Sequence, residues 1–321
     1  MLSYTIRRLL ITIPMLFLLS IVVFSLAKMM PGDALSGEID PTNTTPEYIA
    51  EMREKLGYND PVHEQYLRWA GSFIQGDFGK SFVYKLPVKD VILQRLPNTI
   101  FLATVSLVIT YILSFIMGMY AGRRPYGIGD YSIASYNYFA LAVPNYVLAI
   151  FAIYFFAFHL GWLPSNGSVG IGKVPGTWEY WQSRFYHVLL PATILGVFST
   201  ASYTQFLRND IIENSRKDFV RTARAKGTSE GIIYNKHILR NSLIPLVTIF
   251  GFDLGGIVGG AVITESIFTY PGIGQLFLDS ITRRDYAVVM TLTLFLSLFT
   301  LLGNLVADLL YGVADPRIRL E

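Results

Sequence analysis

"YTIRRLLITIPMLFLLSIVVFSLA" (residues 4–27) begins with two arginines and continues as a long apolar run. Such a run is long enough to cross a bilayer as a helix. A cleavable signal peptide would have a shorter apolar region that ends in small residues at a cleavage site. Here Lys28 and two methionines follow the run instead. We therefore interpret this stretch as an uncleaved first membrane span.

The composition of the whole chain agrees with a membrane protein. Of its 321 residues, 52% are hydrophobic, and the mean hydropathy is +0.42. These values exclude a disordered chain and favour an all-α polytopic membrane protein over a soluble enzyme. The chain contains no cysteine, so a disulfide framework, thiol catalysis and a cysteine-based metal site are excluded.

Five further apolar runs of similar length follow the first one. The six predicted spans cover residues 9–29, 99–121, 133–159, 188–207, 244–265 and 287–311. An even number of spans places both termini on one side of the membrane. Arginine and lysine are concentrated at the two termini, after the second span and before the fifth, whereas the other short loops carry few. By the positive-inside rule we expect a multi-pass protein of the cell membrane with both termini in the cytoplasm.

The predicted spans divide the chain into three parts. Residues 1–30 form the N-terminus and first span, residues 31–98 an extracytoplasmic helical domain, and residues 99–321 the core membrane domain with spans 2 to 6. Within 31–98, helices are predicted from Pro46 to Gly57 and from Pro61 onward. This domain either covers a pore mouth or contacts an external partner, or it is only a packing cap.

Sequence motifs that would indicate an enzyme are incomplete. "GDFGKS" (76–81) resembles the end of a phosphate-binding loop, but Ile74 stands where that loop needs its first glycine. "HEQYL" (63–67) lacks the second histidine of a zinc-protease helix, and the four histidines are scattered. We therefore predict no catalytic residues, no metal site and no cofactor bound by this chain.

The segment 208–243 is a cationic cytoplasmic loop between two apolar spans. Its sequence from residue 218, "DFVRTARAKGTSEGIIYNKHILRNSLIP", predicts two short helices that meet at Gly227, because glycine enters the left-handed conformation without a steric penalty. Thr228 or Ser229 is suited to cap the second helix. The candidate site residues around this break are Phe219, Arg221, Ala223, Arg224, Ala225, Lys226, Gly227 and Thr228.

Three interpretations of this loop remain open from the residues alone. On the first helix, Phe219 and Ala223 share a face; on the second, Ile232 and Leu239 do, together with Leu243. Small side chains allow close backbone approach, so the two helices can form a wedge that enters a cleft on a partner protein. The loop can instead lie on anionic lipid head groups, or its cations can do no more than set topology.

The pattern "RTARAKG" (221–227) followed by "RNSLIP" (240–245) resembles the coupling loop of ABC importer permeases, and within them the dipeptide and oligopeptide branch. The general family pattern is Glu-Ala-Ala, three residues, then Gly; here Arg221 and Thr222 replace the first two, and the run from Gly227 to Pro245 is longer. Both departures resemble the peptide branch. Further stretches resemble that branch in order and extend the likeness over essentially the whole chain: "IRRLL…MMPGD" (6–33), "LGYNDPVHEQYLRW" (56–69), "LPNT" (96–99), "ESIFTYPGIGQL" (265–276), "RRDY" (283–286) and "DPRIR" (315–319).

The resemblance implies the type I ABC importer permease fold and the first-permease ("B") type of the peptide branch, in a prokaryotic cytoplasmic membrane. It implies a second homologous permease subunit and an extracytoplasmic substrate-binding protein. It also implies two cytoplasmic ATPase subunits that use ATP and Mg, and it makes Phe219, Arg221 and residues 223–228 of this loop the predicted docking residues for them. The partners also include the lipid bilayer but no nucleic acid. Nickel, glutathione or an oligosaccharide remain alternative substrates, and a self-sufficient secondary transporter or channel is the alternative from another class.

Glycines in the predicted fifth span recur every four residues, at Gly251, Gly255 and Gly259. Rows of small residues let helices approach closely in a membrane. We expect this row to pack either between the two permease subunits or inside this subunit.

Polar residues in the fifth and sixth spans are candidates for the translocation path. Asp253 shares a helix face with Gly256 and Gly260, and an ionisable residue inside a span is costly unless it is paired or hydrated. It is therefore expected to face the path or a partner helix. In the last span a polar stripe at helical spacing consists of Ser297, Thr300, Asn304 and Asp308; it either lines the path or hydrogen-bonds to neighbouring helices.

Overall fold

The computed structural model of the protein describes residues 2–29, 46–55, 57, 59–256 and 261–314. The predictions that fall on residues 31–45, 257–260 and 315–321 lie outside these ranges. Within them the regular structure is helical, apart from an isolated antiparallel bridge between Lys80 and Pro87. The helices are α1 (Leu2–Met29), α2 (Pro46–Lys55), α3 (Val62–Ile74), α4 (Val88–Arg123), α5 (Ile128–Ala142), α6 (Asn145–Ala152, continuing as a π-helix over Ile153–His159), α7 (Trp178–Asn214), α8 (Asp218–Ala225), α9 (Glu230–Ile232, continuing as a π-helix over Ile233–Ile238), α10 (Leu239–Ser242), α11 (Ile244–Gly256), α12 (Val262–Ile267), α13 (Ile273–Thr282) and α14 (Tyr286–Ala314).

Four of the described helices, α1, α4, α7 and α14, are long and apolar enough to cross a membrane. A fifth span results if α5 and α6 are counted as one bent unit. The fold class, an all-helical multi-pass membrane protein, is confirmed. The count of six stays a prediction, because the run predicted at 244–265 consists of α11, the undescribed residues 257–260 and α12.

The bend between α5 and α6 measures 98° and lies at Pro144. Proline disfavours the helical conformation of the residue before it. Accordingly Val143 has extended backbone angles, φ −92° and ψ 125°, and ends α5. The sequence run that was predicted as one continuous third span is therefore two helices.

The centre of the bundle is the contact between α4 and α7, which run parallel to each other. A Cβ atom on Gly118 would lie 2.9 Å from the Cβ of Leu207, and one on Gly122 would lie 2.8 Å from the Cβ of Ile211. Leu207 and Ile211 are fully buried there. Glycine at these two positions of α4 thus permits the close approach of the helices.

The helix α4 begins before the predicted second span, at Val88 instead of residue 99. Val88 and Val91 are buried against Leu276 of α13 and Leu292 of α14. Burial of this apolar face stabilises the helical conformation on the N-terminal side of Pro97. The first turns of α4 therefore belong to the packed bundle.

The described part of the segment 31–98 packs on the bundle. Helices α2 and α3 lie close to where the sequence predicted them, beginning at Pro46 and Val62. The ring of Trp69 on α3 lies 5.5 Å from that of Phe24 on α1. Asp285, just before α14, accepts hydrogen bonds from the Ser81 hydroxyl (2.5 Å) and the Val83 N–H (3.1 Å). These contacts fix the segment to α1 and to the beginning of α14.

The same end of the bundle contains a buried carboxylate, Glu265 of α12. It accepts hydrogen bonds from the Thr99 hydroxyl (2.7 Å) and from the Gly274 N–H at the first turn of α13 (2.7 Å). A negative charge is favourable at a helix N-terminus. Two stretches that carry the family resemblance, 96–99 and 265–276, are thus in direct contact.

Candidate functional site

The cationic loop between α7 and α11 contains the break that its sequence predicts. Helix α8 ends at Ala225, and Gly227 has a φ of +76°. The Gly227 N–H donates to the Arg224 carbonyl (2.9 Å) and the Thr228 N–H to the Ala223 carbonyl (3.1 Å). Such bonds satisfy the last carbonyls of a helix that closes on a left-handed glycine. The predicted helix end at Gly227 is confirmed.

One face of α8 is anchored in the protein through Val220 and Ala223, which are buried. Both belong to a cluster that also contains Leu207 and Ile211 of α7 and Leu246 of α11. The loop is therefore packed against two of the helices that it connects. A displacement of α8 would be transmitted to α7 and α11 through these contacts.

The face that the spacing predicted for the second helix is divided in the structure. Ile232 was predicted to share it with Leu239 and Leu243, but Ile232 is 51% exposed, whereas Ile233 and Ile238 are buried. The reason is that residues 233–238 are π-helical, with more residues per turn than the α-helix that the spacing assumed. Leu239 and Leu243 contact the buried cluster.

The other face of α8 is open to solvent and carries most of the predicted docking residues. Phe219 is 36% exposed, whereas Ala223, one turn further along the same helix, is buried. Thr228 is half-buried. The remaining exposed docking residues are Arg221, Arg224, Ala225, Lys226 and Gly227.

An ion pair joins the two helices across Gly227. The guanidinium of Arg224 donates to both carboxylate oxygens of Glu230, at 2.6 and 3.1 Å. These hydrogen bonds lower the pKa of Glu230. The pair is exposed and adds little to stability, but its bidentate geometry fixes the angle between α8 and α9.

Polar contacts connect the loop to the ends of α4 and α7. Arg123, the last residue of α4, donates to the Asn235 side chain (2.7 Å) and lies over the ring of Tyr234 (5.4 Å). The Asn214 amide at the end of α7 donates to the Ser242 hydroxyl (3.0 Å). The loop is thus attached to both central helices of the bundle.

A buried ion pair close to this loop was not predicted from the sequence. Arg208 of α7 donates to both oxygens of Asp130 on α5, at 2.5 and 2.6 Å. The Asp130 side chain is only 3% exposed. Arg208 was interpreted as one of the cations that set topology. An acidic residue at the start of a span, opposite a cation at the end of another, is the signal that could have indicated the pair.

Asp253 of α11 lies between two tyrosines of this chain. It accepts hydrogen bonds from the hydroxyl groups of Tyr111 on α4 and Tyr203 on α7, the latter at 2.7 Å. Gly256 is the last residue of α11, and Gly260 lies outside the described residues. The carboxylate of α11 is therefore held by hydrogen bonds from both α4 and α7.

The glycine row of α11 packs on α14 of the same chain. A Cβ atom on Gly251 would lie 2.3 Å from the Cα of Ala307, and one on Gly255 would lie 2.6 Å from the Cα of Gly303. These two glycines therefore lie at an interface inside the subunit. Gly259 lies outside the described residues.

The polar stripe of the last span is partly bonded to its own helix. The Ser297 hydroxyl donates to the Thr293 carbonyl (2.7 Å), and the Thr300 hydroxyl donates to the Leu296 carbonyl (2.8 Å). Asn304 is half-buried. Hydroxyl groups bonded in this way keep acceptor capacity for water or a solute.

Known proteins are similar to this chain over nearly its whole length. The family described as binding-protein-dependent transport system inner membrane component matches residues 114–320, and the family that describes the N-terminal part of such membrane components matches residues 1–103. The chain is 39% identical to the oligopeptide transport system permease protein AppB of Bacillus subtilis, over 99% of both chains. It is 33% identical to the di/tripeptide transport system permease protein DppB of Pseudomonas aeruginosa and 35% identical to the glutathione transport system permease protein GsiC of Escherichia coli, in each case over 99% of both chains.

Proposed function

Because the chain belongs to the family of binding-protein-dependent transport system inner membrane components, we propose that it is a permease subunit of an ATP-driven peptide importer. The observation that carries this proposal is the likeness over the full length to oligopeptide and di/tripeptide permeases. Glutathione, the substrate named for another relative, is itself a tripeptide. The chemical class of the substrate is therefore the same across these relatives.

The energy for import comes from separate ATPase subunits, which bind ATP and Mg. The coupling loop supports this division of labour, since α8 presents an exposed face with Arg221, Ala225 and Lys226 and is anchored by its other face. The exposed face enters a cleft on an ATPase subunit. When two ATPase subunits close on ATP, α8 is displaced and moves α7 and α11 through the buried cluster. The translocation path then opens to the extracytoplasmic side.

The remaining partners follow from the same architecture. A second, homologous permease subunit completes the path, and a substrate-binding protein delivers the peptide on the extracytoplasmic side. Both termini lie in the cytoplasm. Asp253 and the stripe of Ser297, Thr300 and Asn304 line the path, where polar groups suit a hydrated peptide backbone.

The test is a purification of the tagged protein in mild detergent, with identification of the co-purifying chains by mass spectrometry, followed by reconstitution into liposomes. We expect a second permease, ATPase subunits and ATP-dependent uptake of a tripeptide. Gly227→Val should weaken recovery of the ATPase subunits and abolish uptake while the protein still inserts. Transport by the lone chain without ATP would overturn the proposal and indicate a self-sufficient carrier.

A further inference from the structure

Three aromatic rings surround the carboxylate of Asp253. The rings of Tyr111 and Tyr203 are 5.3 Å apart, and those of Tyr111 and Phe250 are 5.4 Å apart. The two tyrosine hydroxyls each bond a different carboxylate oxygen. The carboxylate is therefore held in one orientation by two phenol hydroxyls, and the ring of Phe250 packs edge to face with that of Tyr111.

No cation of the described part of the chain neutralises this carboxylate. The ion pairs found there involve other acidic residues, namely Glu64, Asp60, Glu179, Asp130, Glu213, Asp218 and Glu230. A carboxylate inside a span is costly unless it is paired or hydrated. Two phenol hydrogen bonds supply donors but no positive charge, so a cationic guest would add the missing interaction.

The group is also open on one side. Phe250 is 38% exposed and Val247, one turn earlier on the same face of α11, is 36% exposed. Asp253, Tyr111 and Tyr203 are each half-buried. The described part of the chain therefore leaves one side of this group uncovered, at Val247 and Phe250.

We propose that Asp253, Tyr111, Tyr203 and Phe250 form a binding site for a primary ammonium group, which in an importer of peptides is the free amino terminus of the peptide in transit. An ammonium group donates hydrogen bonds to the carboxylate and is attracted by the faces of the surrounding rings. The identity of the guest as a peptide terminus rests on the proposed function, whereas the ammonium site itself does not.

The position of this site relates it to the coupling loop. Tyr203 packs against the buried cluster that contains Val220 and Ala223 of α8. The Tyr203 hydroxyl donates to the carboxylate of Asp253. One side chain therefore links the proposed ammonium site to the buried cluster that anchors α8.

The absence of cysteine from the chain permits a direct test. Val247→Cys would be introduced into the full complex, and its rate of labelling by N-ethylmaleimide measured with ethylammonium chloride or with sodium chloride at equal ionic strength. At ten times the half-maximal ethylammonium concentration, labelling should slow about tenfold, because about one site in eleven stays free. Sodium chloride should leave the rate unchanged.

Two matched variants separate the ammonium site from a general effect of the salt. In the Asp253→Asn background, which keeps the side-chain shape without the charge, the protection should disappear. Phe250→Leu keeps the carboxylate and removes one ring. It should weaken ethylammonium binding, so that the half-maximal concentration rises about two- to fivefold. Equal slowing in wild type and Asp253→Asn, or no slowing in wild type, would overturn the proposal.

The source of the ammonium group is distinguished by the same assay. Trialanine should protect the cysteine, whereas N-acetyl-trialanine, which lacks the charge at its terminus, should not. Protection by both peptides alike would show that the amino terminus is not what binds. The assay uses neither ATP nor transport, so its failure is distinct from that of the proposed function, which would appear as wild-type complex unable to import trialanine with ATP.

Discussion

Gly227 provides a specific prediction for the coupling loop. Its backbone conformation disfavours a residue with a side chain, whereas the space around it would admit one. Its φ of +76° is unfavourable for residues with a side chain, yet a Cβ atom at this position would meet no other atom within 4 Å. A substitution therefore perturbs the loop through backbone conformation and not through a clash inside this chain.

The size of the effect follows from that conformational cost. An ordinary L-residue in the left-handed region costs roughly 1–2 kcal/mol, and Asn less because it visits this region more readily. A difference of that size lowers the ratio of the native helix break to other loop conformations about five- to thirtyfold. We expect Gly227→Ala to lower ATP-driven uptake accordingly, Gly227→Val to abolish it, and Gly227→Asn to keep most of it.

The assay is tripeptide uptake into liposomes that contain the complete importer, together with the amount of ATPase subunit recovered with each variant. Gly231 provides the matched control, since it lies four residues further on, has an ordinary φ and also has open space around it. Gly231→Ala should leave both quantities unchanged. Equal activity of Gly227→Asn and Gly227→Val, at any level, would refute the conformational reasoning.

Three further substitutions test the packing of the bundle, each by thermal unfolding of the purified complex in detergent. Gly303→Ala should destabilise by about 1–3 kcal/mol or more through overpacking, because its Cβ would lie 2.1 Å from the Cα of Gly255; an unchanged midpoint would contradict the close crossing of α11 and α14. Glu265→Gln should cost about 1–3 kcal/mol, since an amide cannot accept at both oxygen positions and buried donors are left unpaired; a neutral result would argue against the buried network at α13. Asp130→Asn should cost about 3–5 kcal/mol, because the Arg208 guanidinium then stays buried without its counter-charge; full stability would show that this pair is replaceable by solvent.

Features of the fold that depend on local chemistry could be predicted from the sequence. The helix end at Gly227 follows from the backbone freedom of glycine, and the starts of α2 and α3 follow from the prolines at 46 and 61. The apolar runs predicted the long helices, because a segment inside a bilayer must satisfy its backbone hydrogen bonds internally, as a helix does. The prediction missed a π-helical stretch, Ile233–Ile238, which separates Ile232 from the face of Leu239 and Leu243.

Contacts between distant parts of the chain could not be predicted. Asp253 was recognised as unusual from its place in a span, but its partners Tyr111 and Tyr203 lie 142 and 50 residues away. Nothing in a periodic pattern says which helices become neighbours. The same holds for Arg208 and Asp130, whose pairing requires the arrangement of α5 beside α7.

Site-directed photo-cross-linking tests whether the exposed face of α8 docks on an ATPase subunit. A benzophenone maleimide would be attached to a single cysteine, Ala225→Cys, in the otherwise cysteine-free chain. Ile171→Cys, fully exposed in the loop before α7, is the control, because α7 separates it from the coupling loop by about 55 Å of helix. We predict that the Ala225 probe captures the ATPase subunit and the Ile171 probe does not. Capture of lipid alone from Ala225, or of the ATPase from both positions, would contradict the claim.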